Sequence, residues 1–389
     1  MILVINCGSS SIKFALYKVG KVLTRFLHGK LDRVGLSGTT LSFSSAEGPE
    51  QKNVSFPTPD DSSTAEAFIN WLRKQEGFES VRAIGHRVVH GMKHTQPEVV
   101  TPVLLDELHK ISSYDPVHLS AEIELIEAFQ RHYPELTQVA CFDTAFHRAM
   151  PRVAKLLPIP LRYEAMGVER YGFHGLSYSY LMEELKRVDP VAVKGRVILA
   201  HLGNGASLAA VKDGKCIDTS MGFTPASGMM MSTRSGNLDP GLVNFLVRTE
   251  KMSPAQFDHL VNHESGLLGI SGTSSDMRDL LKLENEDVRA AKSVELFCYQ
   301  AKKWIGSYAA VLGGLDAIVF SGGIGENAPV IRERICKGLG FLGVELDSLR
   351  NATSSGLISP DFGKVSVRVI RTDEEQMIAR SVRRVVGLK

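Results

Sequence analysis

One pattern occurs twice in this chain and limits what it can fold into. Val4 to Lys21 (VINCGSSSIKFALYKVGK) reads as an apolar strand, a Gly/Ser turn, a second strand and a Gly–Lys hairpin. Val197 to Lys215 (VILAHLGNGASLAAVKDGK) repeats that order, and Lys18-Val-Gly-Lys21 is echoed by Lys212-Asp-Gly-Lys215. Asp213-Gly214 is a strong hairpin signal. Two such segments half a chain apart suggest two related α/β domains. Each turn offers backbone N–H groups with little steric obstruction, a chemistry suited to phosphate. A P-loop would need G-x-x-x-x-G-K-[ST] followed by a helix. Here Ile12 to Tyr17 instead alternates with the period of a strand, so any phosphate is held from a β-hairpin.

The rest of the chain alternates between helix and strand periods, which argues α/β. Ala65–Lys74 and Ala121–Arg131 read as helices, with Val81–Val89 and Gln138–Phe142 as strands. Pro151 to Glu169 is Pro-rich and irregular, a plausible domain crossing. Val288–Leu312 reads as a long helix stopped by Gly313-Gly314, Asp316–Phe320 as a buried strand, and Asp373–Val386 as a charged helix; another helix opens near Pro329. At 389 residues the chain is long for one core. Its 45 basic and 43 acidic residues leave no basic stripe for nucleic acid and no polybasic membrane anchor. Five scattered cysteines without a C-x-x-C pair suggest neither zinc nor a disulfide framework. With no signal peptide and no membrane-spanning run, a cytoplasmic location is expected.

Several segments carry candidate chemistry. Phe320-Ser-Gly-Gly-Ile-Gly-Glu-Asn327 is a strand, a Gly turn and a helix start, where a nucleotide can approach backbone. With the Asn6–Ser11 and His201–Gly205 turns it makes three phosphate-compatible sites. Arg87 lies in the apolar run GHRVVHG, where a lone charge is costly without an anionic partner, and an anionic substrate would supply one. Arg234 lies in the polar loop MSTRSG. The His86/His90 pair lacks the helix and Glu of a zinc motif. His174 stands between glycines in YGFHG. Asp143 ends a strand as a metal ligand, a general base or a helix cap, and Glu374 and Glu375 open a helix as dipole partners or Mg²⁺ holders.

In order along the chain, VINCGSSSIK, GHRVVHG, FDTAFH, RYGFHG, HLGNGAS, MGFTP, TRSGNLDPG, ISGTSSDMRDL, SGGIGEN and TDEE resemble the motifs of the acetate kinase family, in the actin-like ATPase superfamily. The resemblance runs nearly end to end. It implies two duplicated actin-like (ribonuclease H-like) α/β domains with a cleft between them: residues 1–147 joined by the helix 373–389, and 148–372 carrying the nucleotide site. It implies reversible phosphoryl transfer from ATP to acetate, giving acetyl phosphate and ADP, with Mg²⁺ (or Mn²⁺) and a homodimer. Matched by motif, Asp143, His174, Arg234 and Arg87 are catalytic, and Asn6 and Glu374 hold metal. Lys13, His201, Gly203, Asn204 and Gly205 match phosphate positions. Asp276, Met277 and Arg278, with Gly323, Ile324 and Asn327, match the adenosine pocket. Arg87, Val89, Val117, Phe173 and Pro225 match the carboxylate and its methyl group. An ionised carboxylate needs no general base, so the expected site is a positive cradle in which Arg87 and Arg234 let two anions meet.

Three departures stand out: Val117-His118-Leu119-Ser120 for Leu-His-Asn-Pro, Asn237 for Asp after TRSG, and Leu176-Ser-Tyr178 for Thr-Ser-His after GFHG. They bear on substrate preference, leaving propionate and butyrate open. The competing readings are a sugar or polyol kinase, with Asp143 as base, and an actin-like ATP switch.

Overall fold

A computed structural model of the chain describes residues 1–8, 11–34, 38–46, 50–56, 63–112 and 119–389. Val117, His118 and two serines of the first turn (Ser9 and Ser10) lie outside the described residues. The chain divides into two compact units, Met1–Ala145 with Asp373–Lys389, and Phe146–Thr372.

Among the described residues unit 1 is built on eight strands: β1 Ile2–Cys7, β2 Ser11–Lys18, β3 Thr24–Asp32, β4 Thr40–Ser45, β5 Gln51–Ser55, β6 Ala83–Val88, β7 Glu98–Val99 and β8 Thr137–Phe142. Their order is β5-β4-β3-β2-β1-β6-β8-β7. β1 is buried along its whole length, because helices cover both faces of its sheet. On one face Phe68 and Ile69 of the helix Thr64–Leu72 and Leu125 and Phe129 of the helix Leu119–His132 pack with Phe14 and Ile84. On the other lies the C-terminal helix Glu374–Val386. A Cβ on Gly85 would stand 2.5 Å from Ile378 Cγ2 and Val382 Cγ2, so only glycine lets that helix seat.

Unit 2 holds β9 Arg196–Leu202, β10 Ala206–Lys212, β11 Lys215–Thr219, β12 Ala317–Ser321 and β13 Ser366–Val369, in the order β11-β10-β9-β12-β13. β9, β10 and β11 run antiparallel, and β12 and β13 join parallel to β9. In unit 1 the strands β3-β2-β1-β6-β8 have this same order and these same directions. Shared topology, not merely shared turns, is therefore what the sequence echo reports, and the α/β duplication is present in the strand pairing. Asp213 (φ 50°) and Gly214 (φ 73°) both take the left-handed region that a type I′ hairpin turn requires.

The helix Gly175–Val188 packs Tyr178, Leu181 and Leu185 against Val197, Leu199 and Val211. The helix Val288–Leu312 stops at Gly313, whose φ is 72°. In one place the chain differs from the expected turn: Gly322–Asn327 is itself helical, and a second helix, Pro329–Cys336, follows. Gly322 takes φ 77° and reverses the chain at once, so the helix begins without a loop. Among the described residues no helix is long and apolar enough to cross a membrane.

Candidate active site

Unit 1 gathers its charged candidates where β1, β6 and β8 end. Arg87 donates from Nε (3.2 Å) and Nη2 (2.8 Å) to Asp143 Oδ2, and from Nη1 to Glu122 Oε1 (3.2 Å) and to the Cys7 carbonyl (2.8 Å). Burial opposes its charge, and Asp143 and Glu122 more than restore it, holding the guanidinium above its ordinary range. The expectation that substrate supplies the anionic partner of Arg87 is thus corrected: the chain supplies two. Asp143 is ion-paired with Arg87 through Oδ2. Glu122, which in the sequence is one more charged residue of an amphipathic helix, also accepts from the Val89 N–H through Oε2 at 2.8 Å. One buried carboxylate thus fixes both Arg87 and Val89.

Asn6 Nδ2 donates to Glu374 Oε2 (3.0 Å) and Glu375 Oε1 (2.9 Å). Asp373 caps that helix, accepting from Gln376 N–H at 2.8 Å, and pairs with Arg25. Burial, opposed by Lys13 and reinforced by Glu374, raises the Glu375 carboxyl above its usual range. Partial desolvation works against the Lys13 ammonium, and Glu374 and Glu375 outweigh it, so Lys13 titrates above its ordinary value. Unit 1 therefore offers Glu122, Asp143, Glu374 and Glu375 against Arg87 and Lys13. Arg234, the other arginine of the expected cradle, belongs to unit 2, and in this set carboxylates outnumber cations. Oxygen donors of this kind suit a hard divalent cation that takes its other ligands from phosphate and water. Among the described residues no cluster of three or more His, Cys, Asp or Glu stands ready to hold a metal alone. Burial, with Glu122 nearby, pushes the Cys7 thiol up to about 12. His86 is sealed in the core, its Nε2 donating to Gln138 Oε1 at 2.7 Å, and burial draws it down to about 4.

Unit 2 brings its candidates together around one turn. β9 and β12 are parallel neighbours with Ser321 opposite His201, so the loops after them emerge at the same edge. A Cβ on Gly322 would lie 2.7 Å from the Leu202 carbonyl oxygen, so the helix Gly322–Asn327 presses onto the His201–Gly205 turn. The loop of Arg234 is tied to the same turn, as Ser232 N–H donates to the Asn204 carbonyl at 3.1 Å. That loop is further held by Ser235 N–H to Val261 O and Ser265 N–H to Thr233 O, both 2.9 Å. His174 stacks on His201 with ring centroids 4.3 Å apart. A Cβ on Gly205 would stand 3.0 Å from His174 Nε2.

His174 occupies the left-handed region (φ 59°, ψ 23°) at the start of the helix Gly175–Val188, a conformation that costs about 1–2 kcal/mol outside glycine. Its neighbours impose it. His147 Nε2 donates to the Phe173 carbonyl at 2.9 Å, while His147 Nδ1 faces Cys216 Sγ at 3.2 Å. Tyr171 and Gly172 N–H groups both reach the Gly222 carbonyl, at 2.9 and 3.3 Å, which joins the segment of Phe173 to that of Pro225.

The helix Gly322–Asn327 is clamped at both ends. Glu326 Oε1 accepts from Gly322 N–H (2.9 Å) and from Thr372 N–H (3.1 Å). Its carboxylate thus takes the first amide that the helix N-terminus would have offered to phosphate, which narrows the reading of that turn. At the other end the fully buried Arg332 donates from Nη1 to the Gly325 (2.8 Å) and Glu326 (3.1 Å) carbonyls, and from Nε to Asn351 Oδ1 (2.9 Å). Gly323 and Asn327 stay exposed, linked by Asn327 Nδ2 to Gly323 O at 2.9 Å. Asp276 caps the helix Met277–Leu283 and pairs with the exposed Arg278 guanidinium at 2.6 Å, while Met277 is buried. Asn237 accepts from Gly228 N–H at 2.8 Å, a turn-closing bond that an amide and a carboxylate can both make. Val89 belongs to unit 1, and Phe173 and Pro225 to unit 2.

Two duplicated α/β units, one bearing a carboxylate-rich set and the other glycine turns beside a histidine and the loop of an arginine, have the make-up of the phosphotransferase class, and the relatives of this chain agree. The acetokinase family model matches residues 1–380. The acetate kinase of Methylocella silvestris is 42% identical, over 97% of this chain and 96% of that protein. Crystal structures of Porphyromonas gingivalis acetate kinase and of a Francisella tularensis propionate kinase superpose with TM-scores of 0.88 and 0.90, each at 36% identity and covering 99% of both chains. The chain belongs to the acetokinase family, kinases whose phosphoryl acceptor is a carboxyl group.

Proposed function

We propose that this protein is an acetate kinase, transferring the γ-phosphoryl group of ATP to acetate and, in reverse, phosphorylating ADP from acetyl phosphate. The observation that carries this reading is the convergence on the His201–Gly205 turn of His174, the Gly322–Asn327 helix and the Arg234 loop. In this scheme the acetate oxygen forms a bond to the γ-phosphorus as the bond to the bridging oxygen breaks and ADP leaves. The acid is already ionised near neutral pH, so no proton is abstracted. Arg234 and His174 donate to the equatorial oxygens as charge shifts, and Gly203–Gly205 with Lys13 orients the phosphate chain. Arg87, steadied by Asp143 and Glu122, faces the carboxylate. Glu374, Glu375 and Asn6 would hold Mg²⁺, which when bound neutralises phosphate charge.

Val89, Phe173 and Pro225 serve the methyl group, and Asp276, Met277 and Arg278 with Gly323, Ile324 and Asn327 the adenosine. A homodimer is part of the proposal, supported by Val243, Phe245 and Val247, which the helix Gly241–Thr249 leaves exposed. Cytoplasmic location is supported by five free cysteines. Acyl hydroxamate formation with acetate, propionate, butyrate and glycerol tests the reading. Acetate should give the highest kcat/KM, and turnover with glycerol but not with carboxylates would refute it.

A further inference from the structure

The Tyr178 that stands where related motifs carry histidine is not idle. Its hydroxyl lies 2.5 Å from Ser207 Oγ, and Ser207 Oγ lies 2.8 Å from His174 Nδ1. Tyr178 and Ser207 are both fully buried, so each hydroxyl proton has a definite place in the interior. A phenol O–H is a better donor and a poorer acceptor than an alkyl O–H. Tyr178 therefore donates to Ser207, and the one serine proton goes on to His174 Nδ1. A nitrogen that accepts carries no proton, which leaves the ring proton on Nε2. Nε2 is the atom that stands over Gly205.

We propose that Tyr178 and Ser207 are positioning residues that lock His174 as its Nε2–H tautomer, so that the neutral ring presents an N–H to the Gly203–Gly205 side without needing an imidazolium. This rests on the reading of His174 as a donor to the transferring phosphoryl group. It gives the buried chain a function that packing alone does not supply. The left-handed backbone of His174 fixes where the ring starts, and the two hydroxyls fix how it is turned and protonated.

Ring-¹⁵N-histidine NMR of the intact enzyme, with His174 assigned from its loss in His174→Gln, reads the tautomer directly. An Nε2-protonated ring at pH 8 is expected, and an Nδ1-protonated ring overturns the relay. Kinetics give a second arm. Ser207→Ala should lower kcat about tenfold while both KM values stay within about twofold. It should also add a fall in kcat as pH rises through the ordinary imidazole range, which the parent enzyme lacks, because only imidazolium then guarantees an Nε2 proton. Ser207→Thr keeps the hydroxyl and should restore both rate and profile. Tyr178→Phe should fall between the parent and Ser207→Ala. A Ser207→Ala enzyme with parental kcat and pH profile overturns the proposal. Full turnover in His174→Gln overturns instead the functional assignment of His174, a result the NMR arm keeps distinct from failure of the relay.

Discussion

Replacing Glu122 with glutamine isolates the residue that holds Arg87 and Val89 together. In the parent its two oxygens act separately, Oε1 taking Arg87 Nη1 at 3.2 Å and Oε2 taking the Val89 N–H at 2.8 Å. The side chain is 1% exposed, and that of Arg87 14%. A carboxamide has one acceptor oxygen, so glutamine keeps one of these bonds and turns an N–H₂ towards the other donor. Losing one hydrogen bond to a charged group costs about 1.5–3 kcal/mol. The rest of the pair survives, because Asp143 and the Cys7 carbonyl still engage the guanidinium. We expect Glu122→Gln to destabilise unit 1 by about 2 kcal/mol, and Glu122→Ala, which also opens a void, by about 3–5 kcal/mol. For a unit of this size, 2 kcal/mol lowers the transition by roughly 4–8 °C. Differential scanning calorimetry of the intact enzyme reads it, with kcat/KM for acetate falling alongside. A Glu122→Gln enzyme within about 0.5 kcal/mol of the parent would show that the paired oxygens do not matter, and the argument would fail.

Other substitutions test separate features. Arg332→Met strands the Gly325 and Glu326 carbonyls, so the KM for ATP should rise about tenfold, with the KM for acetate little changed in initial-rate assays. Gly205→Ala places a methyl against His174 Nε2, and the shift forced on the ring should cut kcat about tenfold or more while the fold survives, as circular dichroism would verify. Glu375 binds its proton more tightly folded than unfolded, so its contribution lowers stability as pH rises from the ordinary carboxylate range through its raised value. Glu375→Gln should therefore stabilise the metal-free enzyme at pH 8 and leave it unchanged at pH 4 in urea titrations. In the parent, Mg²⁺ affinity by calorimetry should weaken as pH falls through that raised value, because a cation competes with the proton.

Much of the fold was legible where a residue type admits one conformation. Asp213-Gly214 announced its hairpin, Gly313 its helix stop, and the paired strand–turn–strand segments their duplicated sheets. The partners of the charged residues were not legible. Glu122 sits in an apolar helix face between Leu119 and Ile123, and only the buried run around it hints that it points inward. Arg332 reads as one more cation in VIRERIC, yet it is sealed in the core as a cap for another helix. Glu326 passed for part of a glycine turn, whereas its carboxylate consumes the amide that turn appeared to offer. Glu122 meets groups 33 and 35 residues away, whereas Glu326 and Arg332 cap backbone only four to seven residues off, and in none of these cases does spacing encode which group the side chain will fill.

The helix Glu374–Val386, seated on Gly85, has a consequence for how the polypeptide is made. Unit 2 is one continuous stretch, Phe146–Thr372, and all of it is translated before the helix that completes unit 1. The amino-terminal half, translated first, waits for the final seventeen or so residues to cover β1 and β6. Completion thus runs against the direction of translation, and a stop codon placed just after Thr372 would release a chain whose opening sheet keeps one greasy face to water.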